Sequence, residues 1–102
     1  MPYTLGFDPI LLPRHYADHG PDFAAATAAD YERLADQFLG GPPTDATRES
    51  RRVNGDFVRY NEVTEEFGIL SAANVIRTYY KPDPAIHGFP SNLHYFWAEC
   101  LR

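Results

Sequence analysis

The chain has 102 residues, of which 44% are apolar and 15% aromatic, and its net charge is −5. This length fits one domain with one hydrophobic core and excludes a second, so we predict a single domain over residues 1–102. The negative charge argues against indiscriminate nucleic-acid binding, which requires many basic side chains. Cys100 is the only cysteine, so an internal disulfide is impossible.

Two further features bear on location. Residues 1–15 lack the basic start and long apolar run of a signal peptide, and no stretch approaches the roughly 20 apolar residues of a membrane span. A single cysteine is compatible with a reducing compartment. We therefore expect a cytoplasmic protein without a membrane partner.

The charged residues are unevenly distributed. Residues 1–50 hold three basic against eight acidic side chains, whereas residues 51–102 hold six of each. Any basic surface is therefore predicted in the second half.

The first half of the sequence predicts helices. A proline-containing arm precedes a short helix that begins at about Asp8 or Pro13 and ends at Asp18, before Gly20 and Pro21. A second helix is predicted over 28–39, where apolar residues recur at helical spacing.

The second half alternates with a period of two from Thr47 onward. Asn54-Gly55 between two such runs is typical of a two-residue type I′ hairpin. Further strands are predicted over 67–70 and 75–80, and short links make neighbouring strands antiparallel. A short helix follows Ser91. The predicted fold is thus α+β, with N-terminal helices packed on a four-stranded antiparallel meander and a short C-terminal helix.

His15 and His19 lie four residues apart and would share one face of the first helix. Because no Cys/His cluster elsewhere supplies further ligands, we predict no metal site. His15 fits a helix-end cap as well as an RNA contact. His19, beside the turn at Gly20, favours an exposed functional imidazole, since histidine exchanges protons near neutrality.

The predicted strands mix basic side chains with tyrosines. The basic residues are Arg51, Arg52, Arg59, Arg77 and Lys81, and the tyrosines are Tyr60, Tyr79 and Tyr80. Guanidinium groups bind phosphates and aromatic rings stack on unpaired bases, so this mixture suits single-stranded RNA. The alternative, which composition alone favours, is a solvated sheet face with ordinary strand aromatics.

Alternation divides the fourth strand into two sides. One side carries Ile76, Thr78 and Tyr80, and the other carries Val75, Arg77, Tyr79 and Lys81. We expect one side to meet the helices and the other to meet water or a ligand, and periodicity does not decide between them.

Ordered short motifs resemble the colicin D-like and RelE-like bacterial ribonuclease toxins, which share a helix-then-sheet fold. The similarity spans about residues 14–83. The matching segments are 19–23, 31–39, 51–52 with Gly55, 58–61 and 76–82. The resemblance implies that His19 is catalytic. It also implies that Thr78 replaces a site serine, that Tyr80 replaces a site tryptophan, and that Arg51 or Arg52 binds the scissile phosphate.

The same resemblance implies that the side of the fourth strand that carries Thr78 and Tyr80 lies at the site. His15, Arg59, Arg77 and Lys81 would then be flanking RNA contacts. The chain departs from the family at Ala17 and Asp18, where the family has lysines, and only Arg14 supplies a nearby cation. Residues after Pro84, including His87 and 95–97, lie outside the match and predict only a packing helix.

The resemblance therefore implies a metal-independent endoribonuclease toxin without a cofactor, which cleaves tRNA through its 2′-hydroxyl and leaves a 2′,3′-cyclic phosphate. Arg52 would stabilise the charge growing on the phosphate. Such a toxin requires an immunity protein or antitoxin, and a basic cleft favours an acidic partner. Two alternatives stay open: a non-catalytic protein-binding module, and an NAD-dependent transferase toxin, which no Gly-rich phosphate loop supports.

Overall fold

A computed structural model describes residues 2–102, whose elements follow the predicted order. The helices are α1 (Leu12–His19), α2 (Ala28–Gly40), α3 (Pro84–His87) and α4 (Asn92–Cys100), with a 3₁₀ helix at Gly20–Phe23. The strands are β1 (Thr47–Arg51), β2 (Phe57–Asn61), β3 (Phe67–Leu70) and β4 (Ile76–Tyr80). The predicted α+β class is confirmed. Within residues 2–102, none of the helices is both long enough and apolar enough to cross a lipid bilayer.

The first two helices begin at local hydrogen bonds that their sequences supply. The Asp8 carboxylate accepts a hydrogen bond from the Ile10 N–H at 2.8 Å, in a turn that leads directly into α1. Thr27 caps α2 by accepting a hydrogen bond from the Asp30 N–H at 3.1 Å. Both helices thus lie close to their predicted positions, and α1 extends to His19, one residue beyond the prediction.

The four strands form an antiparallel meander in the order β1-β2-β3-β4. The N-terminal arm runs alongside the outer edge of β4, where Phe7 pairs with Ile76 in parallel and the Ile76 N–H donates to the Gly6 carbonyl at 2.8 Å. The arm therefore covers the start of one exposed edge of the sheet.

The connection between β1 and β2 differs from the predicted two-residue turn. The Arg52 N–H donates to the Asp56 carbonyl at 2.7 Å, which leaves three residues in the loop. A type I′ turn requires a positive φ at both central residues, but only Gly55 has one, at 93°. The Asn54 side-chain oxygen instead accepts a hydrogen bond from the Asp56 N–H at 2.9 Å, which stabilises the longer loop. The type I′ prediction is wrong for this reason.

Both faces of the sheet are covered by helices. The cluster on the α2 side contains Phe7, Tyr31, Ala35, Leu39, Ile76 and Tyr79. The cluster on the α4 side contains Val58, Tyr60, Phe67, Ile69 and Phe96. Phe96 of α4 is 4% exposed. The expectation that the second face meets only water or ligand is therefore wrong, because α4 covers much of it.

A bulge in β4 changes which of its side chains share a face. Leu70 pairs with Ile76 and Ile69 pairs with Thr78, so Arg77 is an extra residue without a partner in β3. Thr78 and Tyr80 share the α4 side, as predicted, whereas Ile76 belongs to the α2-side cluster. The predicted grouping is wrong for Ile76, because the bulge interrupts the alternation between Ile76 and Thr78.

Candidate functional site

A cleft of about 410 Å³ lies where the end of β4 meets α1 and α3. Its lining combines imidazole, phenol, ammonium and aliphatic groups. The side chains that matter below are His19, Tyr80, Lys81, Ile86, His87 and Tyr95.

His19 ends α1 at the mouth of this cleft, and its side chain is 31% exposed. Its ring stacks on the ring of Tyr80, with centroids 4.9 Å apart and planes 26° apart. Its Nδ1 lies 4.0 Å from Oδ2 of Asp22. A Cβ at position 20 would lie 2.7 Å from the Tyr16 ring, so Gly20 lets the chain turn closely behind His19. The structure thus brings together two predicted site residues, His19 and Tyr80.

The hydroxyls of Tyr80 and Tyr95 are hydrogen-bonded to each other. Burial raises the pKa of Tyr80 well above its usual range, and burial also raises the pKa of Tyr95. Both groups therefore keep their protons at neutral pH. One proton forms the mutual hydrogen bond, and the pair retains a second O–H that has no acceptor within residues 2–102.

His87 also lines the cleft, and its ring stacks on the ring of Tyr95 with centroids 4.5 Å apart. Its Nδ1 accepts a hydrogen bond from the Phe89 N–H at 3.1 Å, and its Nε2 lies 2.8 Å from Oδ1 of Asn92. Nδ2 of Asn92 donates to Glu65 and to the Pro82 carbonyl, which orients the amide oxygen toward His87. Nε2 therefore carries the proton, and both ring nitrogens are occupied.

Sequence reasoning missed the contribution of His87 and Tyr95 to this cleft. The only signal was the density of aromatic and imidazole side chains after Pro84. Their placement depends on contacts between α4 and β4 that periodicity does not encode.

Thr78 and Arg77 precede Tyr80 on β4 and do not line the cleft. Thr78 lies two residues before Tyr80 on the same face, about 7 Å along the strand. The bulged Arg77 donates from Nε to Oδ1 of Asp56 at 2.8 Å, while 55% of its side chain remains exposed. The Arg77 guanidinium is therefore accessible, but it lies beside Asp56, toward the end of the sheet opposite Tyr80.

The Asp56 carboxylate that holds Arg77 is itself buried and charged. Burial alone would raise its pKa, but hydrogen bonds from Arg77 and Asn54 and the charges of Arg77 and Arg52 outweigh this and lower it. The carboxylate therefore stays ionised at neutral pH and keeps Arg77 in place.

Arg52 does not have the free guanidinium that the sequence predicted. Its side chain is 11% exposed, and it donates to the Glu99 carbonyl at 2.8 Å, to Oε1 of Glu99 at 3.3 Å and to Oδ2 of Asp56 at 3.4 Å. The expected direct contact between Arg52 and phosphate is corrected accordingly. The guanidinium instead joins the β1–β2 loop to α4.

Arg51 is exposed but lies far from His19. It pairs with Phe57 at one end of β1, an outer strand, whereas Tyr80 occupies the other end of the opposite outer strand. The sheet spacing separates their backbones by roughly 13 Å along the strands and 14 Å across them. Its Nη1 donates to the Gly55 carbonyl at 3.2 Å. The prediction that Arg51 binds phosphate beside His19 is therefore wrong.

Arg59 is 7% exposed and faces α2 rather than solvent. Its Nη1 donates to the carbonyls of Phe38 and Gly41, both at 2.7 Å, and its Nη2 donates to Glu49 at 2.8 Å. These carbonyls belong to the C-terminal end of α2, which leaves acceptors unsatisfied and favours a cation. The predicted RNA contact at Arg59 is wrong because the side chain caps a helix.

Lys81 lines the cleft, with its Nζ 5.5 Å from the centroid of the Phe23 ring. Lys81 is exposed and remains a candidate RNA contact. His15 lies in the middle of α1, where its ring packs on Phe7 at 5.1 Å. His15 therefore does not cap the helix end, because α1 continues to His19.

Burial lowers the pKa of His15 from its ordinary value of 6.5. The charge of His19 lowers it further, while Asp18 partly opposes the shift. Below pH 6.5 the unfolded chain therefore binds a proton more readily than the folded one, and stability is lost as the pH falls below this value. We expect the Tm to decrease between about pH 7.5 and 5.5, and to decrease less in His15→Gln. Equal decreases in both proteins would contradict this assignment.

The chain matches no protein-family model and no curated protein sequence. Its resemblance to the colicin D-like and RelE-like toxins therefore remains a prediction. Within residues 2–102, no group of three or more His, Cys, Asp or Glu side chains is placed to hold a metal ion.

Proposed function

We propose that this domain is a metal-independent endoribonuclease toxin that cleaves tRNA through attack by a ribose 2′-hydroxyl. The observation that carries the proposal is the His19 imidazole, which stacks on Tyr80 at 4.9 Å at the mouth of an open cleft and has Asp22 beside its Nδ1. A partly exposed imidazole next to a carboxylate is suited to proton transfer.

In this mechanism His19 accepts the 2′-hydroxyl proton at Nε2, and Asp22 stabilises the resulting imidazolium from the Nδ1 side. The 2′-oxygen forms a bond to phosphorus as the bond from phosphorus to the 5′-oxygen breaks. The leaving 5′-oxygen takes a proton from the imidazolium. The products are a 2′,3′-cyclic phosphate and a 5′-hydroxyl. DNA is spared because it lacks the nucleophile, and the reaction requires no cofactor.

The charge on the phosphate is stabilised along β4. Lys81 provides an ammonium at the cleft, while the exposed guanidinium of Arg77, which Asp56 holds toward the other end of the sheet, contacts a neighbouring phosphate of the RNA. Thr78 and the remaining O–H of the Tyr80–Tyr95 pair donate to phosphate oxygens. Arg52 acts indirectly, because it shares Asp56 with Arg77 and so helps to hold that guanidinium.

The proposal includes a protein partner. An endoribonuclease in the cytoplasm of its producing cell requires an antitoxin or immunity protein. The exposed cations Arg77 and Lys81 flank the site, and an acidic partner surface would cover them.

Cleavage of total tRNA by the purified protein, with and without EDTA, tests this proposal. We expect a discrete EDTA-resistant cut with a cyclic-phosphate end, while a DNA oligonucleotide of the same sequence as the cut region stays intact. Cleavage of DNA or a requirement for a divalent ion would contradict the mechanism. Tight binding of a protein with no cleavage of any RNA would establish the binding-module alternative.

The tyrosine pair makes a second prediction. In Tyr80→Phe or Tyr95→Phe, the remaining hydroxyl keeps one O–H that can donate to the substrate, so we expect kcat to fall by no more than about tenfold. The double variant has no such donor, and kcat is expected to fall by about 10²–10³-fold. Single-turnover cleavage rates of the parent protein, the two single variants and the double variant measure the coupling between the two hydroxyls. Tyr3→Phe, at a residue that is 46% exposed and does not line the cleft, is the control. Two small, additive losses would refute the shared donor.

A further inference from the structure

The cleft beside His19 has two aromatic walls. On one side the His19 ring stacks on Tyr80, and on the other the His87 ring stacks on Tyr95. The tyrosine hydroxyls join the two stacks. Ile86 of α3 also lines the cleft, and it is 85% exposed. A volume of about 410 Å³ lies within the range of small-molecule sites.

The His87 ring is held in a fixed orientation. The Phe89 N–H and the Asn92 amide oxygen occupy its two nitrogens. His87 therefore presents a rigid aromatic surface, of the kind on which unpaired bases pack.

The charges in the cleft decide which part of a nucleotide fits there. Three carboxylates line it, from Asp18, Asp22 and Asp83, against the single ammonium of Lys81. This excess of negative charge disfavours any phosphate other than the scissile one, which in the proposed mechanism contacts the cleft at His19, Lys81 and the tyrosine pair. The uncharged base is not repelled, and carboxylate oxygens accept hydrogen bonds from an exocyclic amino group.

We propose that this cleft is a nucleobase-binding subsite, which seats the unpaired base next to the scissile phosphate and prefers bases with an exocyclic amino group. The inference rests on the proposed ribonuclease function. It assigns the His87 ring and Ile86 to base contact, and it assigns the exposed carboxylates Asp18 and Asp83 to recognition of the amino group.

Non-cleavable probes test the subsite independently of catalysis. Fluorescein-labelled 2′-O-methyl octanucleotides of cytosine and of uracil differ in one amino group, and they lack the attacking hydroxyl. From fluorescence anisotropy we expect the cytosine probe to bind about tenfold more tightly than the uracil probe. This is the difference in affinity that one hydrogen bond to a charged acceptor provides. The double variant Asp18→Asn/Asp83→Asn should abolish this preference, since asparagine at position 83 can still cap α3.

A shorter side chain at the edge of the cleft provides a second test of the subsite. Ile86→Ala should weaken both probes about fourfold, through loss of apolar contact, without unfolding an exposed site. Val63→Ala, at a 79% exposed position outside the cleft, should change neither affinity. Equal affinity for the two probes, no effect of Ile86→Ala, or no binding at all would overturn the subsite. Selective binding without cleavage of any RNA would disprove the ribonuclease function and leave the base subsite standing.

Discussion

Replacement of His19 by alanine is expected to slow RNA cleavage by about 10²–10⁴-fold, the usual contribution of a general acid or base. The free energy of unfolding should change by only about 1 kcal/mol, because the partly exposed ring loses one aromatic stack. Single-turnover rates on tRNA and urea unfolding curves measure the two effects separately.

His94→Ala is the matched control for this experiment. His94 is exposed on α4, where its Nδ1 lies 2.7 Å from Oγ of Ser91, and it does not line the cleft. Its removal should leave cleavage within about twofold of the starting rate, as is usual for surface substitutions. If His19→Ala unfolds the protein, the imidazole is structural. If both variants lose activity equally, the cleft is not the site.

The local elements were predictable because their signals are local. Thr27 caps α2 through a hydrogen bond three residues away, and the spacing of apolar residues sets the extent of the helix. The short links between strands force the antiparallel meander. Each of these depends on neighbouring residues alone.

Side-chain hydrogen bonds explain the two backbone errors. Asn54 accepts from the Asp56 N–H, and this bond favours a three-residue loop over the type I′ turn that the Asn-Gly pair suggested. Arg77 is extruded from β4, where Asp56 holds it at 2.8 Å. Asp56 takes part in both contacts, so neither error is independent of the fold around this carboxylate.

The strand arginines show why the site was harder to predict than the fold. Arg51, Arg59 and Arg77 have the same chemistry and similar sequence surroundings. Their exposure differs because of what packs opposite each strand position. Tertiary contacts thus assign one arginine to a helix cap, one to a distant edge and one to an ion pair with Asp56.

Arg59→Ala is expected to destabilise the fold by about 3 kcal/mol, whereas Arg51→Ala should change stability by less than about 0.5 kcal/mol. Removal of Arg59 leaves the carbonyls of Phe38 and Gly41 without their donor and leaves Glu49 unpaired. Loss of one partner from a buried ion pair costs about 3–5 kcal/mol. We take the lower end because Glu49 is 33% exposed and because Nε of Arg59 is buried without a partner within residues 2–102.

Urea unfolding with an unchanged m value would measure this loss as a lower midpoint. Cleavage by Arg59→Ala, corrected for the folded fraction at low temperature, should match the parent protein, because Arg59 contacts α2 and not the cleft. Reduced activity of fully folded Arg59→Ala would instead place Arg59 among the RNA contacts. Similar destabilisation by Arg51→Ala would show that burial is not what distinguishes the two arginines.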